Sequence, residues 1–269
     1  MSVVDVAAFV GTYPYRDLGR AGSASWLLAQ MDRLGIDRAW VGYLPSILRS
    51  DPAADNRALA RIVSSHQDRL IPVPTINPDQ PRWQDDLNEA LSLSAPAVRA
   101  YPQFLGLDMA GDAMRVVAGA AAVAGLPLVL TVRLEDRRQR HPADRAPELA
   151  AAAVRTLVRQ DPQLRLLVTH ADRAFIEEVH FGLIETEAAR VMWDISWVWG
   201  PPEDQLRLLF DTVGVQHFAL GTGMPLRMGD AAFAKLDLLD LDQRARASVL
   251  GRNIERWSSG DGDEVSDLS

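Results

Sequence analysis

Eight short, almost uninterrupted apolar runs alternate with eight amphipathic ones along this chain, and few architectures tolerate that order. The runs are Val3–Val10, Ala39–Leu44, Leu70–Ile76, Ala97–Tyr101, Leu128–Arg133, Arg165–Thr169, Val191–Trp197 and His217–Gly221. A strand with one wet face alternates polar and apolar residues. A parallel strand covered by helices on both faces does not, and these runs are of that second kind. Helical patterns lie between them: Ser25–Leu34, an Asp51-Pro52 start running to His66, Trp83–Leu91, Ala113–Ala124, Pro147–Arg159, Phe175–Ile184, Pro202–Val213, and Ala232–Trp257 with a break near Leu241-Asp242. Asp51 suits an N-cap with Pro52 in the first turn. Strict alternation with this count predicts an α/β fold, a closed (β/α)8 TIM barrel rather than an open doubly wound sheet. The length, 269 residues, suits one such barrel of about 250 residues. No GxGxxG or phosphate-cradling loop follows any run, which weakens the open sheet further. Residues 1–257 are expected to form a single barrel domain, and the Ser-, Gly- and acid-rich 258–269 a disordered acidic tail.

Composition narrows the function. Net charge is −8 and the pI about 5.1, whereas a nucleic-acid or anionic-membrane partner calls for a basic footprint. There is no cysteine, so disulfides, thiolate metal sites and a cysteine nucleophile are excluded, and a cytoplasmic location fits. Lys235 is the only lysine; it falls in a late helical pattern, and no other residue can form a Schiff base. The N-terminus lacks the basic start and long apolar run of a signal peptide. The Ala-rich stretch from Val116 to Leu130 is interrupted by Gly119, Gly125 and Pro127 and reads as a helix then a strand, not a membrane span.

In such a barrel the chemistry sits at the C-terminal strand ends and in the loops that follow. Those positions carry Tyr13-Pro14-Tyr15-Arg16, Asn77-Pro78, Arg99-Ala100-Tyr101, Arg133 to His141, Thr169-His170-Ala171-Asp172, Trp193-Asp194-Ile195-Ser196-Trp197 and Gly221-Thr222-Gly223-Met224-Pro225. The succession resembles the amidohydrolase-related family of metal-dependent TIM-barrel hydrolases and decarboxylases. The residues that carry the likeness are Asp5 with Gly11 six positions on, DRLIPVPTINP at 68–78, VRAYP at 98–102, AGLPLVL at 124–130, GTGMP at 221–225 and VLGRNIERW at 249–257. The resemblance implies an Asp-x-His-x-His pair of metal ligands on the first strand, and those positions are Ala7 and Phe9. It implies a strand-eight acid, which falls on Gly223, and a strand-five histidine, absent from Leu130-Thr131-Val132-Arg133. Only His170 stands where a ligand is expected. One histidine cannot hold an ion that wants three or four ligands, so no metal and no cofactor is expected. An unrelated site built from His141, Glu135, Asp194 and His170 has no ligand spacing to support it.

His170, at a strand end, is a candidate acid or base, set against a histidine merely satisfied by Asp172. Asp194, flanked by Trp193, Trp197 and Trp199, is a candidate carboxylate with a raised pKa. Arg16, Arg99 and Arg133 are candidate forks for a substrate carboxylate, set against arginines that brace loops through Asp17, Asp136 or Asp194. Tyr101, Trp197 and Thr222 are expected to line the same pocket. Asn56, Asn253, His66, His180 and His217 read as structural. Two functions follow. The first is a metal-independent hydrolase or lyase acting on a small carboxylated substrate, with His170 or Asp194 moving the proton. The second is a pseudoenzyme that binds a ligand or partner without turnover; a homo-oligomer is compatible with either. A convergent Arg133, His170 and Asp194 favours the first, and a mouth plugged by Phe9, Trp197 and Met224 the second.

Overall fold

A computed structural model describes residues 2–260. The eight strands are β1 (Val4–Val10), β2 (Arg38–Tyr43), β3 (Leu70–Pro72), β4 (Val98–Ala100), β5 (Leu128–Thr131), β6 (Leu166–Thr169), β7 (Val191–Asp194) and β8 (Phe218–Ala219). They are followed in turn by α1 (Ala24–Leu34), α2 (Ala53–Val63), α3 (Trp83–Ser92), α4 (Asp112–Val123), α5 (Ala151–Gln160), α6 (Arg173–His180), α7 (Pro202–Leu209) and α8 (Asp230–Leu238). Neighbouring strands pair in parallel in two ladders, β1-β2-β3 and β4 to β8. Two seams close the ring. Arg99 N donates to Pro74 O (2.8 Å) and Ile76 N to Arg99 O (2.7 Å); across the other seam Val6 N donates to Leu220 O (2.9 Å), Gly223 N to Ala7 O (3.0 Å) and Phe9 N to Met224 O (2.8 Å). The chain is a (β/α)8 barrel.

Several elements are shorter than their sequence patterns. β3 stops at Pro72 rather than Ile76 because Pro72 and Pro74 bring no N–H to the ladder; the chain stays extended and rejoins only at the bridge between Thr75 and Arg99. β7 ends at Asp194, three residues before Trp197, and His217 belongs to a 3-10 turn (Val215–His217) before β8. The Phe175–Ile184 pattern ends as helix at His180 in α6, a separate turn of helix, Glu185–Ala188, lies beyond it, and Pro147–Arg159 narrows to α5. A helix expected to end at Trp257 runs to Ser259 (Asn253–Ser259), with Gly260 closing it in a left-handed conformation, φ 83°. The rest of the expected tail, 261–269, lies outside the described residues. Among the described residues no helix is long and apolar enough to cross a membrane.

An apolar layer on the barrel axis joins Val4 and Val6 of β1, Trp40 of β2, Val73 just past β3, Ala97 just before β4, and Val129, Leu167, Met192 and Ala219 of β5 to β8. On the outside, Ala8 and Val10 pack on Leu27 and Met31 of α1. Because side chains alternate along a strand, the next inward residue toward the C-terminal end is two positions on. That step turns the interior polar: Thr75, Arg99, Thr131, Thr169 and Asp194 are all buried there, beside Phe9 and Gly42. β1 reaches this level through a register shift between Asp5 and Ala8, an extra residue of the β-bulge kind. Asp5, wholly buried, pins the shift. Its carboxylate accepts from Ala7 N (3.0 Å), Thr222 N (3.0 Å) and Thr222 Oγ1 (2.5 Å), tying β1 to the loop after β8. Burial pushes its pKa up to about 6 despite those donors.

Candidate active site

Arg99 on β4 dominates the polar level. It is fully buried and has no ion pair among the described residues; its Nη1 donates to Thr131 Oγ1 at a long 3.3 Å, and the guanidinium also bears on the Tyr101 hydroxyl. Nε and Nη2 are buried without a partner. The guanidinium carbon lies over the Phe9 ring, 4.9 Å from its centroid, and 5.9 Å from that of Tyr101. Thr131 is satisfied independently through Thr169 Oγ1 (2.9 Å). The Tyr101 hydroxyl is buried without an aligned hydrogen bond; burial raises its pKa, and the nearby Arg99 charge offsets part of that rise.

His170 ends β6 in a left-handed conformation, φ 59°, which costs a residue with a Cβ about 1–2 kcal/mol. Asp194 Oδ1 holds the turn by accepting from His170 N at 2.7 Å. His170 Nδ1 lies 2.8 Å from Arg133 O. A carbonyl only accepts, so Nδ1 carries the proton and Nε2 presents a lone pair. Nε2 is buried without a partner. Burial first, then Arg227, Arg99 and Arg133, push the imidazole pKa down to about 3, against the hydrogen bond to Arg133 O. His170 is therefore a neutral base among cations. The ring stacks on Trp197 at 5.6 Å and meets the edge of Phe9 at 5.9 Å.

Arg133, His170 and Asp194 thus converge as expected from three consecutive strand ends, but through backbone atoms as much as side chains. Arg133 spends its fork on the protein: Nη1 pairs with Asp172 at 2.5 Å and Nη2 with Glu148 at 3.0 Å. Asp172 also caps α6 through Phe175 N (3.0 Å), so it does not serve His170. Arg16 is likewise committed, to Leu226 O (2.8 Å) and Glu135 (3.4 Å). Thr222 gives its hydroxyl to Asp5. These three brace the mouth rather than face its interior, which leaves Arg99 as the open fork among the expected arginines. Asp194 Oδ2 is buried and unpaired, and burial raises the carboxyl pKa, with the Ser196 hydroxyl, the His170 N–H and the Lys235 charge acting against the rise. Asn56 and Asn253 hold buried backbone: Asn56 bonds Thr75 at both N–H and C=O and Asp86, while Asn253 bonds Val215 O and Phe218 O.

Two residues at the mouth were not singled out by sequence. Arg227, two positions past Pro225, lays its guanidinium on Trp197 (3.6 Å) and Trp199 (4.2 Å). Burial lowers its pKa to about 10. Lys235 on α8 is buried, and its ammonium donates to Ile195 O (2.9 Å) and Ser196 O (3.0 Å); burial lowers its pKa to about 8 while Asp194 resists. It clamps the loop that carries Trp197 over His170. Phe9 and Trp197, whose rings meet His170, are 0% and 2% exposed and close the mouth over the imidazole; Met224, expected to plug it too, packs instead with Leu27 and Met31 outside the barrel.

A divalent ion does not fit these residues. Among the described residues no three His, Cys, Asp or Glu side chains come together to hold one, and His170 Nε2 faces guanidinia rather than carboxylates.

No protein-family profile matches the chain, and no curated protein sequence does. Solved structures do match. A 2,6-dihydroxybenzoate decarboxylase from Rhizobium is 13% identical with a TM-score of 0.73 over 97% of this chain and 99% of its own. A dihydroxybenzoic acid decarboxylase from a Polaromonas species, solved with bound manganese and the inhibitor 2-nitroresorcinol, is 11% identical with a TM-score of 0.75 over 97% of each. An amidohydrolase-like protein from Staphylococcus aureus is 13% identical with a TM-score of 0.72 over 96% of this chain and 100% of its own. The shared feature is the fold: these neighbours are TIM barrels of the amidohydrolase kind.

Proposed function

We propose that this protein is a metal-independent hydrolase acting on a small carboxylated compound, within the amidohydrolase-like barrels. One observation carries the reading: Arg99, a fully buried guanidinium with two unbonded N–H edges and no ion pair, lies beside a neutral His170 whose Nε2 is free. An unpaired buried charge costs several kcal/mol, and a ligand carboxylate is the group that removes the cost. The decarboxylases with this fold act on aromatic carboxylates by name, which supports the same substrate chemistry here. Hydrolysis is favoured over decarboxylation by the tautomer. Loss of CO2 requires a proton delivered to carbon, and Nε2 has none to give.

In the hydrolytic step a water proton passes to His170 Nε2 as its oxygen adds to the carbonyl carbon of an ester or lactone. The C–O bond then breaks, and the leaving alkoxide recovers the proton from the imidazolium. A free-protein pKa near 3 makes a weak base; a bound carboxylate offsets the guanidinium charges and raises it toward the working range. Chelator-treated protein of measured metal content, assayed on aryl esters and lactones that carry a carboxylate, tests this. Turnover that vanishes on chelation and returns with added metal would overturn it. His170→Gln should lower kcat by about 10²–10⁴.

The closed mouth favours a second reading, a barrel that binds a carboxylated ligand without turning it over. Stoichiometric binding with no turnover in any member of the substrate set selects it.

A further inference from the structure

We infer that the ligand of this mouth carries two anionic groups, one gripped by Arg99 and the other by Arg227, with His170 Nε2 adjoining both. The inference rests on the carboxylate-binding reading above and extends it from a monoanion to a dicarboxylate. Its ground is the contrast between these two arginines and their neighbours. Arg16, Arg133, Arg138 and Arg140 each meet a protein carboxylate, on Glu135, Asp172 with Glu148, Asp136 and Asp144 respectively. Arg99 and Arg227 have no ion pair among the described residues; a buried Nε without a partner is common to them and to Arg133 and Arg140, and Arg99 leaves Nη2 open as well.

Both are also presented in the same way. Arg99 lies over the rings of Phe9 and Tyr101 (4.9 and 5.9 Å to the centroids), Arg227 over those of Trp197 and Trp199 (3.6 and 4.2 Å). Aromatic walls fix the plane of a guanidinium and cover its faces, so the remaining interaction is in-plane, the geometry a carboxylate takes up with two parallel N–H bonds. The acids that act on Arg227 form no ion pair with it: Asp136 is held by Arg138, and Asp194 gives Oδ1 to the His170 N–H while Oδ2 stays unbonded.

The two forks flank the base. A Cβ placed on Gly223 would lie 2.8 Å from Arg227 Cδ and 3.2 Å from His170 Nε2, so both groups border one point. On the other side the Phe9 ring lies against both His170 (5.9 Å) and Arg99 (4.9 Å). A monoanion on Arg99 leaves Arg227 uncompensated in a half-buried site, and a dianion settles both.

The test is titration of the full-length protein with benzoate and with benzene-1,2-, 1,3- and 1,4-dicarboxylate, followed by calorimetry and by tryptophan fluorescence. At least one dicarboxylate isomer is expected to bind tenfold or more tightly than benzoate. In Arg227→Met the ratio of dicarboxylate to benzoate affinity should fall to near one, and Arg227→Lys, which keeps the charge without the fork, should give an intermediate ratio. Circular dichroism and thermal melts check that each variant is folded. Benzoate binding as tightly as every dicarboxylate would overturn the two-anion inference while leaving the carboxylate site standing. Binding of neither class would sink the carboxylate reading itself.

Discussion

Replacing Arg99 with methionine should make this protein more stable and less able to bind its ligand. A guanidinium taken out of water costs several kcal/mol. Arg99 recovers part of that from one long hydrogen bond to Thr131 Oγ1 (3.3 Å) and from two aromatic faces, each worth up to about 2 kcal/mol when dry. Thr131 keeps its bond to Thr169 when the arginine goes, so the substitution strands no buried polar atom there. A methionine stem fills most of the space against Phe9 and Tyr101. Exchange of buried charge for apolar volume is neutral to about 4 kcal/mol stabilising in comparable cases, and a gain of about 1–3 kcal/mol is expected. At roughly 2–4 °C per kcal/mol for a chain near this size, Tm should rise by roughly 2–12 °C. Loss of a charge-assisted carboxylate pair, on the order of 1.5–3 kcal/mol, should weaken carboxylate binding by about 10- to 150-fold. Differential scanning calorimetry with ligand titration on the same samples reads both. A fall in Tm with unchanged affinity would mean that Arg99 is a structural brace, and the reasoning fails.

Three other outcomes follow from the same geometry. His170 titrates about 3.5 units below its usual 6.5, so the unfolded chain binds more protons between pH 6.5 and 3: this part of the stability is complete above 6.5 and lost as pH falls. Asp5, raised from 3.8 to about 6, works the other way, with stability present below 3.8 and lost as pH rises through 6. Urea melts of His170→Gln should therefore gain on the parent by about 3 kcal/mol between pH 7 and 4, and identical pH profiles would refute the buried neutral imidazole. Lys235→Met leaves the Ile195 and Ser196 carbonyls without their ammonium donor and should cost about 1–3 kcal/mol, with red-shifted tryptophan emission as the loop loosens; an unshifted spectrum counts against the clamp. Gly223→Ala imposes a side chain on a left-handed residue, φ 71°, against Arg227 Cδ, and should lower stability by about 1–2 kcal/mol from the backbone alone; an unchanged melt would refute the left-handed strain at this turn.

The barrel was legible because strands buried on both faces leave continuous apolar runs, and nothing local competes with that signal. Strand ends were less so: prolines 72 and 74 sit in an apolar run and yet end the ladder. His170, Asp194 and Arg99 could be named from their positions at strand ends. What sequence could not apportion is which arginine is already spent. Glu148 lies 15 residues beyond Arg133 in an irregular loop, and only the folded loop brings it to the guanidinium. Arg227 carries no local sign of its role, since its two tryptophans belong to a loop some 30 residues earlier. Lys235 did carry one, as the single lysine in an arginine-rich chain, but its helical pattern gave no hint that its ammonium reaches the loop after β7.

The packing of Arg99 on Phe9 also sets the order in which this barrel could change. A histidine at position 9, taken alone, would put an imidazole against a bare guanidinium at 4.9 Å, with Arg227 and Arg133 bearing on the same corner; protonated it would be repelled, and neutral it would face no metal ion that those cations would admit. An acid at position 223 would first have to displace Arg227. A path toward a metal-holding mouth therefore cannot begin with its ligands. Arg99 and Arg227 must go first, and each early step on that path gives up anion binding before any ion is gained. On the proposed reading, two arginines hold the barrel to anion binding by making every first substitution toward a metal site a loss.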